Sequence, residues 1–285
     1  MRLKADLTLL FVAVLMGTAF VAMRVAAGHG IIFFLNGSRF LLGAMLLLPF
    51  AKLRGSFNRT NLPYVGLAGF ALFMGVGFQQ AGLVTTTAGN GGFITSLYVV
   101  IVPLLMWVFW KESPSWYVGA AVVMAVTGAF LLSTGGSFRL RSGDLWMFLS
   151  SLFWALHVVV VGKVQGKIAA LPFAIGQYAV CAGLNLVTGI FLEHPARADL
   201  LAVLPAILYT AVFSIAIGFT LQVVAQKHTP ANDAALIMSM ESVFAVFFGW
   251  LFLHENLLPI QITGCVLILA AVVLVQIKNG KMREP

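Results

Sequence analysis

Ten times along the chain, about twenty consecutive residues pass with almost no charge, and the pauses between these runs are short. Wound as a helix, such a run matches the roughly 30 Å hydrocarbon core of a bilayer. In lipid every backbone amide needs an internal partner, so only helices and closed barrels can span. Barrel strands alternate over about ten residues, half the length of the runs seen here. The runs fall at about 7–26, 31–51, 62–83, 87–110, 115–134, 145–163, 171–192, 201–225, 231–253 and 258–277. They specify an all-α integral membrane protein with ten transmembrane helices.

The charge content agrees. Only 9% of the 285 residues are charged and 61% are hydrophobic, whereas a soluble domain carries roughly a quarter charged residues. The net charge of +8 does not point to nucleic acid, because the basic residues sit in short loops rather than in a stripe interleaved with aromatics. Cys181 and Cys265 both lie inside apolar runs, which indicates neither a disulfide framework nor a cysteine metal site. The first run is expected to remain in the mature protein, since further spans follow it and no soluble domain would be left without it.

Lys and Arg orient the bundle. One side collects Arg2, Lys4, Lys52, Arg54, Arg59, Lys111, Lys163, Lys167, Lys227, Lys278, Lys281 and Arg283. The other side has Arg139, Arg141 and Arg197, with Arg24 and Arg39 within or near spans. Cytoplasmic loops carry the basic excess, so both termini are expected in the cytoplasm and the chain in the cytoplasmic (inner) membrane.

The two halves echo each other. "DLTLLFVAVLMGTAFVAMRV" pairs with "DLWMFLSSLFWALHVVVVGK", opening on Asp6 and Asp144. "LPYVGLAGFALFMGVGFQQ" pairs with "LPAILYTAVFSIAIGFTLQ". "TSLYVVIVPLLMWVFWKE" pairs with "MSMESVFAVFFGWLFLHE", ending on Glu112 and Glu255, and Gly119 and Gly264 open matching tails. The division is residues 1–137 against 138–285. Five spans is an odd number, so the second repeat is expected upside down relative to the first. Inverted repeats with a site near the midplane are a signature of alternating-access transporters.

These segments resemble the ten-helix EamA-type members of the drug/metabolite transporter superfamily. The likeness covers about residues 6 to 277 and rests on Arg39-Phe40-Leu41-Leu42, "AGNGGFITSLYVVIVPLL" and "SMESVFAVFFGWLFLHE". It implies an inverted five-plus-five bundle with a central cavity lined mainly by spans one, three, four, six, eight and nine. It also implies movement of small metabolites such as amino acids or amphipathic compounds, often outward. The sequence departs from the family pattern at Met16-Gly17, where Trp-Gly is usual, and at Ser242, where Pro commonly follows the Glu of the ninth span.

Within the runs, Glu241 is the conspicuous charge. A carboxylate at mid-bilayer costs at least about 2.5 kcal/mol, so it should face the bundle interior. It reads as a proton-coupling or substrate-ammonium site, or as a protonated packing group. By spacing, Tyr98 is its counterpart in the first repeat, on one helix face with Thr95 and Gly91. His157 shares a face with Trp154 and Ser150 and is a second proton-coupling candidate. Gln79, Gln80, Asn90 and Gln222 could line the cavity mouths or bond between helices. With Tyr98, Thr95, Trp154, His157 and Glu241 they make up the expected substrate site. Arg39, Glu112, Glu255, Gly91 and Gly92 are read as gate or framework residues. For Arg39 the reading is snorkelling to the outer headgroups or holding carbonyls at the start of a helix, against anion steering or a gate partner for a carboxylate substrate. Lys111 is a candidate partner for Glu112, and Gly89, Gly91 and Gly92 would permit close packing or a broken helix.

Catalytic classes find no support. "HENLL" lacks the second His of a zincin, and there is neither a G-x-S-x-G elbow nor a P-loop. No catalytic residue, metal, cofactor or ATPase subunit is expected. A small molecule, protons and membrane lipid are the expected partners, for a chain acting as a monomer or homodimer. An exchanger of organic anions or sugars without proton coupling is the alternative. An intramembrane enzyme or lipid scramblase is the rival from another class.

Overall fold

A computed structural model describes residues 1–53, 56–86, 88–134, 142–253 and 258–281, the side chains at 88–90, 133–134, 253 and 276–281 excepted. Arg54, Arg139, Arg141, His254, Glu255 and Arg283, and the side chains of Gly89, Asn90, Lys278 and Lys281, therefore lie outside the described residues. No strand occurs among the described residues. The first three spans are α1 (Arg2–Ala27), α2 (Phe33–Leu47) and α3 (Leu62–Thr85). The fourth is a broken pair, α4 (Ala88–Ser96) and α5 (Tyr98–Trp110), and the fifth is α6 (Trp116–Thr134). The sixth and seventh are α7 (Ser142–Val164) and α8 (Ala170–Leu192). The eighth joins α9 (Arg197–Thr210) to α10 (Thr220–Ala225) through a π-helical stretch, Ala211–Phe219. The ninth is again a pair, α11 (Ala231–Met238) and α12 (Glu241–Leu253), and α13 (Pro259–Lys281) is the tenth.

Eight of these spans are long and apolar enough to cross a membrane, and two shorter apolar helices, Trp116–Leu132 and Pro259–Val275, occupy the fifth and tenth places. Phe11, Phe70, Trp107, Phe191, Trp250 and Leu269 all point outward and exposed. A continuous apolar exterior of this kind belongs in lipid. The protein is an all-α integral membrane protein.

Span three packs on span six, and span one on span eight; span three also packs on seven, and span two on eight. Spans two and seven, four and nine, and five and ten pair directly. Exchanging the first five spans with the last five maps each of these pairs onto another or onto itself. Small residues permit the closest crossings, since lipid supplies no hydrophobic drive between helices. A Cβ on Gly264 would lie 2.4 Å from the Gly128 carbonyl oxygen, and one on Gly128 would lie 2.6 Å from that of Gly264. The partner of Gly264 across spans five and ten is thus Gly128. Gly119, its match in sequence, meets open space.

The two broken spans break alike. Ser96 donates its hydroxyl to the Phe93 carbonyl at 2.7 Å, and Ser239 donates to the Leu236 carbonyl at 2.7 Å. One step on, the amides of Leu97 and Met240 bond back three residues, to Ile94 and Ile237, each at 3.2 Å. A side-chain hydroxyl that occupies a backbone acceptor competes with the regular ladder, and the turn tightens locally into three-residue geometry. The interruption falls at Leu97, several residues beyond the Gly89–Gly92 cluster that the sequence read as close packing or a broken helix. In the ninth span it forms without proline. Ser242 stands there instead and donates to the Ser239 carbonyl at 2.8 Å.

Candidate functional site

The two breaks deliver one residue each to the centre of the bundle. Tyr98 is the first residue of α5 and Glu241 the first of α12. Both are buried, and both line a central cavity. The Tyr98 hydroxyl is close enough to the Glu241 carboxylate for the two to interact, yet it makes no hydrogen bond of sound geometry. A carboxylate at the first position of a helix is favoured by the amide dipoles behind it, and the break creates such a position in mid-span.

The cavity wall is apolar with a few polar atoms. Trp154 and Phe219 stack at 5.5 Å with 13° between ring planes, and both line the cavity. Met16, Phe20 and Met238 complete much of its apolar lining. Four polar atoms on this wall are buried without a partner: Thr95 Oγ1, Tyr98 Oη, Trp154 Nε1 and Gln222 Oε1. Native interiors satisfy nearly all such groups, so their convergence on one cavity marks it as a place for a ligand or for water. In this conformation only about 50 Å³ is open to the centre of a water molecule. That suffices for a few waters. Nearer the Arg2 end of the bundle lies a wider hollow of about 310 Å³, bordered by Glu112, Lys163, Gln226 and Thr229.

The expected site residues divide. Tyr98, Thr95, Trp154, Glu241, Gln79 and Gln222 all line the cavity. Gln80 does not: its amide donates to the Met23 carbonyl at 3.3 Å, between spans three and one. His157 is also off the wall. It lies edge-on to both Trp154 and Phe219, behind their stack, and its Nε2 contacts Gln177 Oε1 at 2.9 Å. The structure therefore does not join His157 to Glu241 as a proton pair. Its face neighbour Ser150 is likewise occupied, donating to the Gly75 carbonyl at 2.8 Å. Glu255 and the side chain of Asn90 lie outside the described residues.

The framework residues also sort differently from their sequence reading. Arg39, expected in a span away from the cavity, reaches it from α2 and is buried there. Glu112 pairs with Lys163 of the sixth span at 2.6 Å, not with Lys111, which caps α5 in a left-handed conformation at φ 58°. Arg24 donates to the Leu83 carbonyl at 2.7 Å, linking spans one and three. Gly92 leaves ordinary van der Waals room beside Ser242 of α12, whereas a Cβ on Gly91 would press on Leu83 and Met147 at 3.1 Å.

Two clasps flank the cavity that no sequence pattern announced as pairs. At one end Thr229 donates to Asp6 Oδ1 at 2.7 Å, and Arg2 bridges Asp6 and Asp233. At the other end Thr86 donates to Asp144 Oδ1 at 2.6 Å. The interval that separates Ser96 from Ser239 also separates Thr86 from Thr229, while Asp6 and Asp144 open matching spans. Each clasp fastens one half of the chain to the other. Glu193 was missed as well. It accepts the backbone N–H groups of Ile32, Phe33 and Phe34 at 2.7, 2.8 and 2.9 Å, capping α2 from the far end of span seven. Its charge alone was visible in the sequence; its donors are backbone N–H groups and leave no pattern.

A buried, partly polar cavity at the meeting of two interrupted spans, enclosed by a lipid-facing bundle, defines a multi-pass membrane transporter. The chain belongs to the EamA-like transporter family, whose model matches residues 3–134 and again 141–277. An uncharacterized transporter from Archaeoglobus fulgidus is 32% identical over 280 residues, covering 97% of this chain and 87% of that one. The WAT1-related protein At3g02690, chloroplastic, of Arabidopsis thaliana is 28% identical, covering 93% of this chain and 67% of its own. The threonine/homoserine exporter RhtA of Escherichia coli is 29% identical over 172 residues, 59% of this chain and 57% of its own. A solved crystal structure with 16% identity superimposes at a TM-score of 0.79 over 100% of both chains, a likeness of fold. Transport, not catalysis, is the activity of the family.

Proposed function

We propose that this chain exports a small organic metabolite, an amino acid or another amphipathic compound, across the cytoplasmic membrane by alternating access. Residues 1–137 and 138–285 act as two inverted halves that rock around the central cavity. The observation that carries the reading is the matched pair of breaks that brings Tyr98 and Glu241 to one cavity between the halves. A central cavity with a clasp toward each end is an arrangement that alternating access can use. The name of RhtA supports amino-acid efflux, and the Lys and Arg distribution supports cytoplasmic termini. Access from the cytoplasm would then lead through the hollow at the Arg2 end.

Glu241 is the proposed proton carrier. It is the one carboxylate on the cavity wall among the described residues, and His157, held behind the aromatic stack, does not share the role. In proteoliposomes, preloaded amino acids should drive counterflow, and an imposed pH gradient should drive net accumulation. Counterflow that persists while the pH gradient has no effect would recast the protein as an uncoupled exchanger. Lipid scrambling without solute flux would end the transporter reading.

A further inference from the structure

Arg39 is a cation inside the bundle that the proposed coupling through Glu241 leaves unused. It sits in the second turn of α2, is 4% exposed and lines the central cavity. Its Nε donates to Asn36 Oδ1 at 3.0 Å, and Asn36 in turn donates its amide to the Val76 carbonyl at 3.3 Å. The guanidinium carbon lies 5.3 Å from the Phe40 ring centroid. One edge of the group is thereby fixed. Its Nη nitrogens have no hydrogen-bond partner among the described residues, and no carboxylate there lies within ion-pair distance. They are not sealed in protein either, since they are absent from the buried polar atoms that lack partners. Among the described residues, Arg39 is the one cation on the cavity wall.

A guanidinium offers its donors as a planar fork that matches an oxyanion with two oxygens, and it stays charged in proteins. Membrane-buried cations are retained opposite a compensating group. Glu241 is not that group: it lines the same cavity but makes no ion pair with Arg39, and the polar group it meets is Tyr98. The wall that carries both charges is largely apolar, with Phe20, Met16 and the Trp154–Phe219 stack beside Thr95, Ser214 and Gln222. One fixed cation and one acid on the same wall, not paired with each other, suit a cargo that is neutral overall and carries both signs. A doubly charged phosphate would face an uncompensated charge beside Glu241.

We infer that Arg39 is the carboxylate subsite of the cavity, and that the cargo is an amino acid with an apolar body whose ammonium lies toward Glu241. This rests on the transport reading above and adds to it the group that holds the anionic end. Arg39 is a binding residue in this scheme, with Asn36 positioning it.

The test uses purified full-length protein in proteoliposomes with two matched series. These are L-leucine, L-leucinamide and isopentylamine, and L-phenylalanine, L-phenylalaninamide and 2-phenylethylamine. Binding is read from tryptophan fluorescence and transport from counterflow. Wild type should prefer the amino acid over its amide and amine by about ten- to a hundredfold, the range for a hydrogen-bonded charge. Arg39→Gln should erase that preference while the amines still bind, Arg39→Lys should keep part of it, and Asn36→Leu should weaken it. An unchanged amino-acid-to-amine ratio in Arg39→Gln overturns the inference and leaves transport standing. So does a wild type that moves other solutes but neither amino acid. If Arg39→Gln does not fold, an unchanged ratio in both Arg39→Lys and Asn36→Leu overturns it equally. Absence of flux for every solute would remove both readings together.

Discussion

The fourth and ninth spans break in the same way and then diverge. Both use a serine hydroxyl to take the carbonyl three residues back, and both present the first residue of the second half-helix to the cavity. In the fourth span that residue is Tyr98 and in the ninth it is Glu241. The backbone device is repeated while the chemistry is not. Symmetric geometry provides a site that both halves enclose, and the single acid makes that site able to carry a proton in one protonation state and a charge in the other.

The sharpest way to break the comparison is to remove the acid alone. Glu241→Gln keeps the shape and the buried position, and net accumulation driven by a pH gradient should fall by about tenfold or more; unaltered accumulation in vesicles would place the coupling elsewhere. Next come the clasps that precede each broken span. Thr229→Val and Thr86→Val each remove one donor to a buried carboxylate, an expected loss of about 1.5 to 3 kcal/mol. Thermal unfolding in detergent checks this. Similar losses at the two ends would fit matched clasps, and a much smaller loss at Thr229 would mean that Arg2 alone holds Asp6.

Smaller effects separate the two glycines that bring α4 near its neighbours. Gly91→Ala should cost about 1 kcal/mol, because Leu83 and Met147 must give way. Gly92→Ala should be close to neutral, since its new methyl meets Ser242 at ordinary distance. Equal melting points for the two variants would contradict the packing described. The smallest change is Tyr98→Phe, which deletes a hydroxyl without a sound partner. Stability should shift by less than about 0.5 kcal/mol, so any large loss of transport would be assigned to cargo contact rather than to folding.

Much of this was legible in the chain and some of it was not. The match of Tyr98 with Glu241 followed from spacing and holds as a shared cavity wall. Trp154, Thr95, Gln79 and Gln222 were also placed by helix register and by position along their spans. His157, a candidate by register, lies off the wall because a face one helix wide touches both the cavity and the next helix. Arg39, in a span outside those expected to line the cavity, lines it because its side chain is long enough to reach inward. The breaks at Leu97 and Ser239–Met240 and the π-helical Ala211–Phe219 carry no proline, so no breaker marked them.

The sequence by itself determined that this is an all-α membrane protein of ten spans, because segment length and charge content are local quantities that lipid reads directly. It also paired Tyr98 with Glu241 across the two halves, because repeat spacing survives without coordinates. Only the tertiary structure decided which side of each helix faces the cavity, the lipid or another helix. In soluble proteins polarity distinguishes these faces, but a bilayer is as apolar as a protein core. The Thr229 partner of Asp6 and the partners of Asp144, Glu112 and Glu193 were decided there too, since each lies far away in the chain and meets its carboxylate only once the helices have packed.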